Sequence, residues 1–425
     1  GVKEVKSPNS NTGNGDTKAL RVKKLLTTLT AKIPSAVQDL EKQTFIGNEL
    51  ISRLSIEDKS LLLQFVNSLL MTMRDLDASD IDMGGDGAKN RIWLRIQGKK
   101  TPIGRLGVYH PNQINIIIQS ILTENQRKLL YENRSIDFSH TIRNGDGEKM
   151  RYRATAFFEL GELAMNMRAI NSKIRPYEGY GFHPAVTHML SLDHTKDGLN
   201  LVTGITGSGK SSTLDAIVDL NNRSIDAHII IIASPIEYIH ESKRCIIRHR
   251  EVGLDTISFK AGTIEALRQD PDIIMIGEMR DPDTIMAALE VADSGHKVFS
   301  TLHTSSATES IDRIIGEVPP VEQERVRVRL AELLRCVISQ KLIPGHQGKL
   351  ILAKETLVMT PSIRAAIRNK NISEIYQMIS EGEKYGMATM EQDLRRLYRE
   401  RKISLQTAIS FANNKRRMQQ ILKMA

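Results

Sequence analysis

The stretch Gly204-Ile205-Thr206-Gly207-Ser208-Gly209-Lys210-Ser211 meets G-x-x-x-x-G-K-[ST] at every specified position. Its flanks supply the context the motif needs. Leu199-Asn200-Leu201-Val202-Thr203 before it predicts a buried strand, and Ser212 to Leu220 behind it predicts a helix. Strand, glycine loop and helix in that order make a phosphate cradle. The glycines let backbone amides turn inward, and the helix N-terminus adds partial positive charge. On this reading Gly204, Thr206, Gly207, Ser208, Gly209, Lys210, Ser211 and Ser212 hold a nucleoside triphosphate. Lys210 reaches its β- and γ-phosphates, and Ser211 binds Mg²⁺.

Downstream, the pattern keeps alternating. His228–Ile232, Ile264–Arg268, Ile273–Ile276, Thr284–Ala292 and Val298–Leu302 continue a β/α rhythm that predicts a parallel, doubly wound sheet. From Val321 onward the expectation is helix almost throughout, beginning at Val326, Leu330, Leu333 and Leu334 and ending near the basic Lys415-Arg416-Arg417. The alternating charges of Glu322–Arg335 read as a solvated helix face.

Upstream, 171–183 carries Pro176, Gly179 and Gly181 and has linker composition. Before it, 76–170 reads as a mixed α/β domain. Ile92, Leu94 and Ile96 alternate with Trp93, Arg95 and Gln97 as in a strand. Asn112–Leu130 is helical in pattern, and Phe138–Ile142, Tyr152–Phe158 and Leu163–Ile170 are strand-like. Asn144-Gly145-Asp146-Gly147 marks a turn. Residues 18–75 hold an apolar stripe at helical spacing, Leu61, Leu62, Phe65, Val66, Leu69 and Leu70, and predict a helical extension. Residues 1–17 are polar and glycine-rich and predict disorder.

Composition sets the limits. At 425 residues, with 40% hydrophobic and 26% charged, the chain suits two or three soluble domains. Aromatics at 4% disfavour a base-stacking nucleic-acid platform. A net charge of +9 and a pI near 9.3 admit nucleic acid, acidic lipid or an acidic protein as partner. Cys245 and Cys336 form no C-x-x-C pair, which argues against structural zinc and for reduced thiols. No apolar run reaches the ~20 residues that span a bilayer, and no signal peptide opens the chain. The expected setting is cytoplasmic.

Four further stretches sharpen the picture. Leu267 to Asp281 contains an apolar strand that ends in Glu278, an acid suited to hold the Mg²⁺ shell or orient water. Gly295 to Thr304 puts His303 just past another strand, on the side where such sheets bind ligands. Arg151, Arg153 and Arg168 lie in the preceding domain. Ser234-Pro235-Ile236-Glu237-Tyr238 follows the strand at His228–Ile232.

Taken in order, these pieces resemble the secretion ATPases of type IV pili and type II secretion, over about residues 76–412. Within that superfamily they are most similar to the pilus retraction (PilT) branch. The likeness is most specific at Arg268–Asp281, at Gly295–Thr304 and at Pro361–Asn369, which is similar to the family's AIRNLIRE signature. Glu237-Tyr238-Ile239-His240-Glu241-Ser242-Lys243 and Arg250-Glu251-Val252-Gly253 add to it. Assembly ATPases usually carry a tetracysteine motif, which this chain lacks. The resemblance implies a hexameric ATPase using ATP and Mg²⁺, with an N-terminal helical extension, a PAS-like α/β domain (76–170), a hinge (171–183) and a RecA-like P-loop domain with C-terminal helices (184–425). It further implies that Arg153 and Arg168 reach the phosphates when the domains close. Glu278, Glu237 and His303 are then the catalytic candidates, with Ser211 and Glu278 at the metal. The implied work is pilus retraction and twitching motility at the cytoplasmic face. The ring would dock on an inner-membrane platform protein, with peripheral membrane contact and no nucleic acid.

One departure stands out. The family usually places a Glu-Asp pair before the proline at 235, and one of those acids is generally assigned to activating water. This chain has Ala233-Ser234-Pro235. Glu237 or Glu278 serves instead, or the chain is a weak or regulatory paralogue, or the pair was substituted to trap ATP. Losing a positioned general base costs about 10²–10⁴-fold in rate. Two other classes of function also fit the composition: a nucleic-acid motor on the same fold, and a non-hydrolytic ATP-binding scaffold. An assembly or secretion ATPase of the same superfamily is a further alternative.

Overall fold

The apolar stripe at Leu61–Leu70 becomes the buried face of a helix in the computed structural model, which describes residues 12–170 and 173–424. The chain divides between Ser172 and Lys173 into two compact units.

The first unit opens with α1 (Thr12–Thr30), α2 (Asp39–Phe45) and α3 (Ile56–Asp75). Ser55 caps α3 by accepting the Asp58 amide at 3.1 Å. A six-stranded sheet follows: β1 (Ala78–Gly84), β2 (Trp93–Ile96), β3 (Lys99–Pro102), β4 (Ser135–Arg143), β5 (Lys149–Glu159) and β6 (Glu162–Ala169). Its order is β3-β2-β1-β6-β5-β4, antiparallel at each pairing. Val22, Leu26, Leu62, Leu70, Ile117 and Met167 belong to one core shared by helices and sheet. This is the PAS-like α/β unit with its helical extension. The single helix expected over 112–130 is two, α4 (Pro111–Ser120) and α5 (Glu124–Asn133), because Thr123 caps a new start with Gln126 in a capping box. The expected disorder over 1–17 also needs correction. Residues 1–11 lie outside the described residues, but α1 begins at Thr12, inside that stretch.

The second unit is built on a seven-stranded sheet. In chain order come α6 (Pro184–Leu190), β7 (Gly198–Thr203), α7 (Lys210–Ser224), β8 (His228–Ala233), β9 (Ile246–Glu251), α8 (Phe259–Ala266), β10 (Ile273–Ile276) and α9 (Pro282–Asp293). Then follow β11 (Lys297–Leu302), α10 (Ala307–Glu317), α11 (Pro320–Leu333), β12 (Leu334–Pro344) and β13 (Leu350–Val358). The chain closes with α12 (Pro361–Arg368), α13 (Ile375–Ser380), α14 (Met390–Arg399), α15 (Leu405–Phe411) and α16 (Lys415–Lys423). Strand order is β13-β12-β7-β11-β10-β8-β9, with β13 antiparallel and every other pairing parallel. β7, β10 and β11 are buried at every residue, as a sheet covered on both faces requires. This is the RecA-like arrangement.

Three expectations change here. The region after Val321 is not all helix, since β12 and β13 extend the sheet by two strands. The run Cys336-Val337-Ile338 lies buried beside β7, and the helical spacing of Val326 to Leu334 obscured where helix gives way to strand. Residues 246–251 form an edge strand that the arginines of Ile247-Arg248-His249-Arg250 disguised. The stretch 173–183 is not a bare linker. Tyr177 and Tyr180 are buried in the second unit's core, and the Lys354 ammonium donates to the Tyr180 carbonyl at 2.6 Å.

α14, α15 and α16 pack around their own small core of Met390, Leu394, Leu397, Ile403, Ala408 and Met418, laid against Ile343 and Ala353 of β12 and β13.

Candidate nucleotide site

The loop 204–209 runs from the end of β7 into the start of α7, as strand–loop–helix spacing predicted. Gly209 takes φ +84 at the helix N-cap and Gly207 φ +83, conformations that favour glycine. Gly204 is needed for space. A Cβ there would meet Ser208 Oγ at 2.3 Å and the Gln340 carbonyl oxygen at 2.6 Å. The loop is therefore clasped from β12. Gln340 Nε2 donates to the Ser208 carbonyl at 3.2 Å, and Thr213 Oγ1 donates to Gln340 Oε1 at 2.7 Å. One strand residue earlier, Ser339 and Thr203 share a 2.7 Å hydroxyl bond. Gln340 carries no sequence motif, and the spacing around it predicts helix rather than the strand β12.

Lys210 opens α7, and its ammonium donates to the Gly204 carbonyl at 2.6 Å and to His303 Nδ1 at 3.0 Å. An ammonium only donates, so Nδ1 is the acceptor and the imidazole proton belongs on Nε2. Nε2 lies 3.9 Å from Glu278 Oε2. Glu278 also takes the Arg280 guanidinium, Nε to Oε2 at 2.8 Å. Burial lowers the Lys210 pKa, with Glu278 opposing. Burial also lowers that of His303, and the neighbouring Lys210 charge adds to it. The His303 shift agrees with a neutral imidazole that accepts from Lys210.

The backbone holds this cluster firmly. The Gly277 amide donates to the Ile232 carbonyl at 2.7 Å, and Thr301 Oγ1 donates to the Gly277 carbonyl at 2.6 Å. The Met279 amide reaches the Thr301 carbonyl at 3.2 Å, and Asp281 caps α9 through the Thr284 amide at 2.8 Å. Lys210, Glu278 and His303, predicted from separate motifs, thus meet just beyond the C-terminal ends of β7, β10 and β11. In open α/β sheets this is where ligands bind.

Two observations bear on an anionic ligand and its cation. Ser208 is buried at 2% exposure, and its Oγ has no hydrogen-bond partner. A buried hydroxyl left unpaired in a glycine loop suits a ligand oxygen. Ser211 is exposed on the first turn of α7, and its hydroxyl, like the Glu278 carboxylate, is the kind of oxygen donor that suits a hard divalent cation. Thr206 is exposed on the loop, and Ser212 is exposed on the same helical turn as Ser211.

Glu237 is half-buried on the loop after β8, next to Ile236, whose amide donates to Glu251 at 3.0 Å. A part-buried pair that no motif marks ties that loop to α7. His240 Nε2 meets Asp215 Oδ1 at 2.9 Å, and the His240 amide donates to His249 Nε2 at 3.0 Å. Burial raises the Asp215 pKa against the pull of His240.

Arg153 and Arg168 belong to the first unit, where β5 and β6 set them directly opposite each other. Arg168 Nε donates to Asp80 Oδ1 at 3.0 Å. Burial works against the Asp80 charge, but the Ser79 hydroxyl and Arg168 hold its pKa below the ordinary carboxylate value. Arg151, from the same strand, donates to Thr141 Oγ1 at 3.0 Å.

A family model described as "Type II/IV secretion system protein" matches residues 55–424. The chain belongs to that family. A "Twitching motility protein" of Neisseria gonorrhoeae is 38% identical over 76% of this chain and 85% of its own length. A "Type IV pilus retractation ATPase PilT" of Pseudomonas aeruginosa is 39% identical over 74% of this chain and 89% of its own. Among solved structures, the pilus retraction motor PilT with bound ADP superposes with a TM-score of 0.73 at 35% identity, covering 83% of this chain and 98% of that one. The family match begins within the short connection before α3, so α1 and α2 precede it.

Proposed function

We propose that the chain is a motor ATPase that couples ATP hydrolysis to retraction of a type IV pilus. The observation that carries this reading is the meeting of Lys210, His303 and Glu278 beside a P-loop whose buried Ser208 hydroxyl is unpaired. The relatives named above support the retraction assignment.

In this reading the amides of Gly207 and Gly209 and the N-terminus of α7 cradle the phosphates. Lys210 exchanges its Gly204 carbonyl and His303 contacts for β- and γ-oxygens. Ser211 and Glu278 would hold Mg²⁺, and that ion would supply positive charge against the phosphates. His303, its proton on Nε2, reports whether Lys210 is engaged. Arg153 and Arg168, opposite each other on β5 and β6, are the guanidinium groups suited to spread negative charge. A homo-hexameric ring docks on an inner-membrane platform protein from the cytoplasm, touching the membrane peripherally. Among the described residues no helix is long and apolar enough to cross a membrane.

A second reading, a weakly hydrolytic regulatory paralogue, draws on one observation. Ala233 and Ser234 offer no carboxylate at the end of β8, leaving Glu278 and Glu237 to orient water. The steady-state ATPase rate beside that of Lys210→Ala decides between them. The motor proposal expects a loss of about 10²-fold or more in the variant. A wild type no faster than Lys210→Ala defeats it. Tight, steeply salt-dependent oligonucleotide binding would instead favour a nucleic-acid motor.

A further inference from the structure

The loop that carries His303 does not end at the nucleotide site. Its residues are fixed in turn by hydroxyl and carboxylate bonds. Thr304 Oγ1 bonds Ser310 Oγ at 2.6 Å, the Ser305 amide donates to Glu309 Oε2 at 2.9 Å, and Ser306 caps α10 through the Glu309 amide at 3.1 Å. Loop and helix start therefore form one piece, and a shift of His303 would move Ser305 and Ala307 with it.

Two bonds lead from that piece to the C-terminal helices. The Ala307 amide donates to Glu355 Oε2 at 2.8 Å, while the Met390 amide donates to Glu355 Oε1 at 3.2 Å. One carboxylate on β13 thus closes the first turn of both α10 and α14, satisfying two amides that helix starts leave without partners. Glu355 is buried at 2% exposure. Burial pushes its pKa up to about 7, against the pull of those amides. Beside it, Asn413 Nδ2, from the connection between α15 and α16, donates to the Ser305 carbonyl at 3.0 Å. Asn413 Oδ1 in turn accepts the Lys341 ammonium at 2.7 Å. Lys341 follows Gln340, the residue that clasps the P-loop. α14–α16 pack on β12 and β13 through a small apolar core, and these polar ties join them to the loop that carries His303.

We propose that Glu355 and Asn413 are positioning residues that set the His303 loop and carry its nucleotide-dependent state into α14–α16. The helices 390–423 then form an output surface of the site, and a ligand bound on them would act back on the loop by the same coupling. The proposal rests on the nucleotide reading given above.

Hydrogen–deuterium exchange on the full chain tests it, with and without MgADP. The wild type should gain protection over 204–212 and change exchange over 390–423. Asn413→Ala, at an exposed position that leaves the fold intact, should keep the first response and reduce the second by about fivefold or more. Asn413→Asp keeps an acceptor for Lys341 but loses the donor to Ser305, so it should behave like the alanine variant. Glu355→Gln should lower kcat with little change in KM. If 390–423 are unmoved while 204–212 are protected, or if Asn413→Asp responds like wild type, the proposal is overturned. No protection at 204–212 removes the nucleotide reading itself and the proposal with it.

Discussion

Replacing Ala233 by glutamate tests how this chain activates water. Ala233 is the last residue of β8, paired in register with Glu251 of β9. A Cβ built on Gly277 would lie 3.3 Å from the Ala233 Cα, so position 233 adjoins the residue immediately before Glu278. A glutamate there brings a second carboxylate to the end of the strand pair that presents the first. A positioned general base is worth about 10²–10⁴-fold, or about 2.7–5.4 kcal/mol of barrier. Nearby carboxylates at 251 and 278 raise the pKa of the new acid and take back part of that gain. The expected net effect on kcat is therefore a rise of about 10–10²-fold at neutral pH, larger at pH 8 as the new carboxyl ionises. A polar insertion at this half-buried position lowers stability by about 0.5–3 kcal/mol, so thermal unfolding should accompany the kinetics. The assay is steady-state ATP hydrolysis with the Lys210→Ala/Ala233→Glu double variant as blank. If kcat stays within about twofold of wild type while nucleotide affinity holds, Ala233 is not what limits turnover and Glu278 or Glu237 already serves.

Gly204→Ala should drive Ser208 and the Gln340 carbonyl apart, lowering stability by about 1–3 kcal/mol and abolishing nucleotide binding. Unaltered affinity in a titration would refute the clasp. His303→Ala removes the acceptor for Lys210 and should lower kcat by about 10²-fold with a smaller change in KM. A parental rate would deny it any part in the cycle. Lys297 is fully buried, with its ammonium on the carbonyls of Met189 and Thr195, and burial lowers its pKa from 10.5 to about 7. Between those values the unfolded chain binds the extra proton. Stability should therefore rise with pH from about 7 to 10.5, by at most about 1.4 kcal/mol per unit. Denaturant titrations of Lys297→Met should lose that slope, and an equal slope in both proteins would refute it.

The sequence disclosed the site better than the frame around it, for a physical reason. Lys210, Glu278 and His303 each sit where an apolar run stops, and a parallel sheet buries its strands on both faces, so the runs are easy to see and their ends mark one edge. β9 carries little strand signal because it is an edge strand. Arg248 and the half-buried His249 and Arg250 break the apolar signal there. β12 is masked in the sequence because α11 runs into it without a turn, so that Leu333 belongs to one element and Leu334 to the next. That junction concealed Gln340. A glutamine between a serine and a lysine carries no motif, yet it secures the P-loop from the far side.

What stayed hidden is mainly what joins one element to another. Glu355 lies in a segment expected to be helix and found as strand, and neither it nor Asn413 belongs to a motif. Only the fold brings them to the amides of Ala307 and Met390 and the carbonyl of Ser305. Such ties have no fixed spacing, because their partners are 48, 35 and 108 residues away in the chain. Chemistry that depends on one strand end and its following turn is therefore legible in a linear sequence. The bonds through which a P-loop motor passes its state to distant helices are set by topology, and they appear only once the chain is folded.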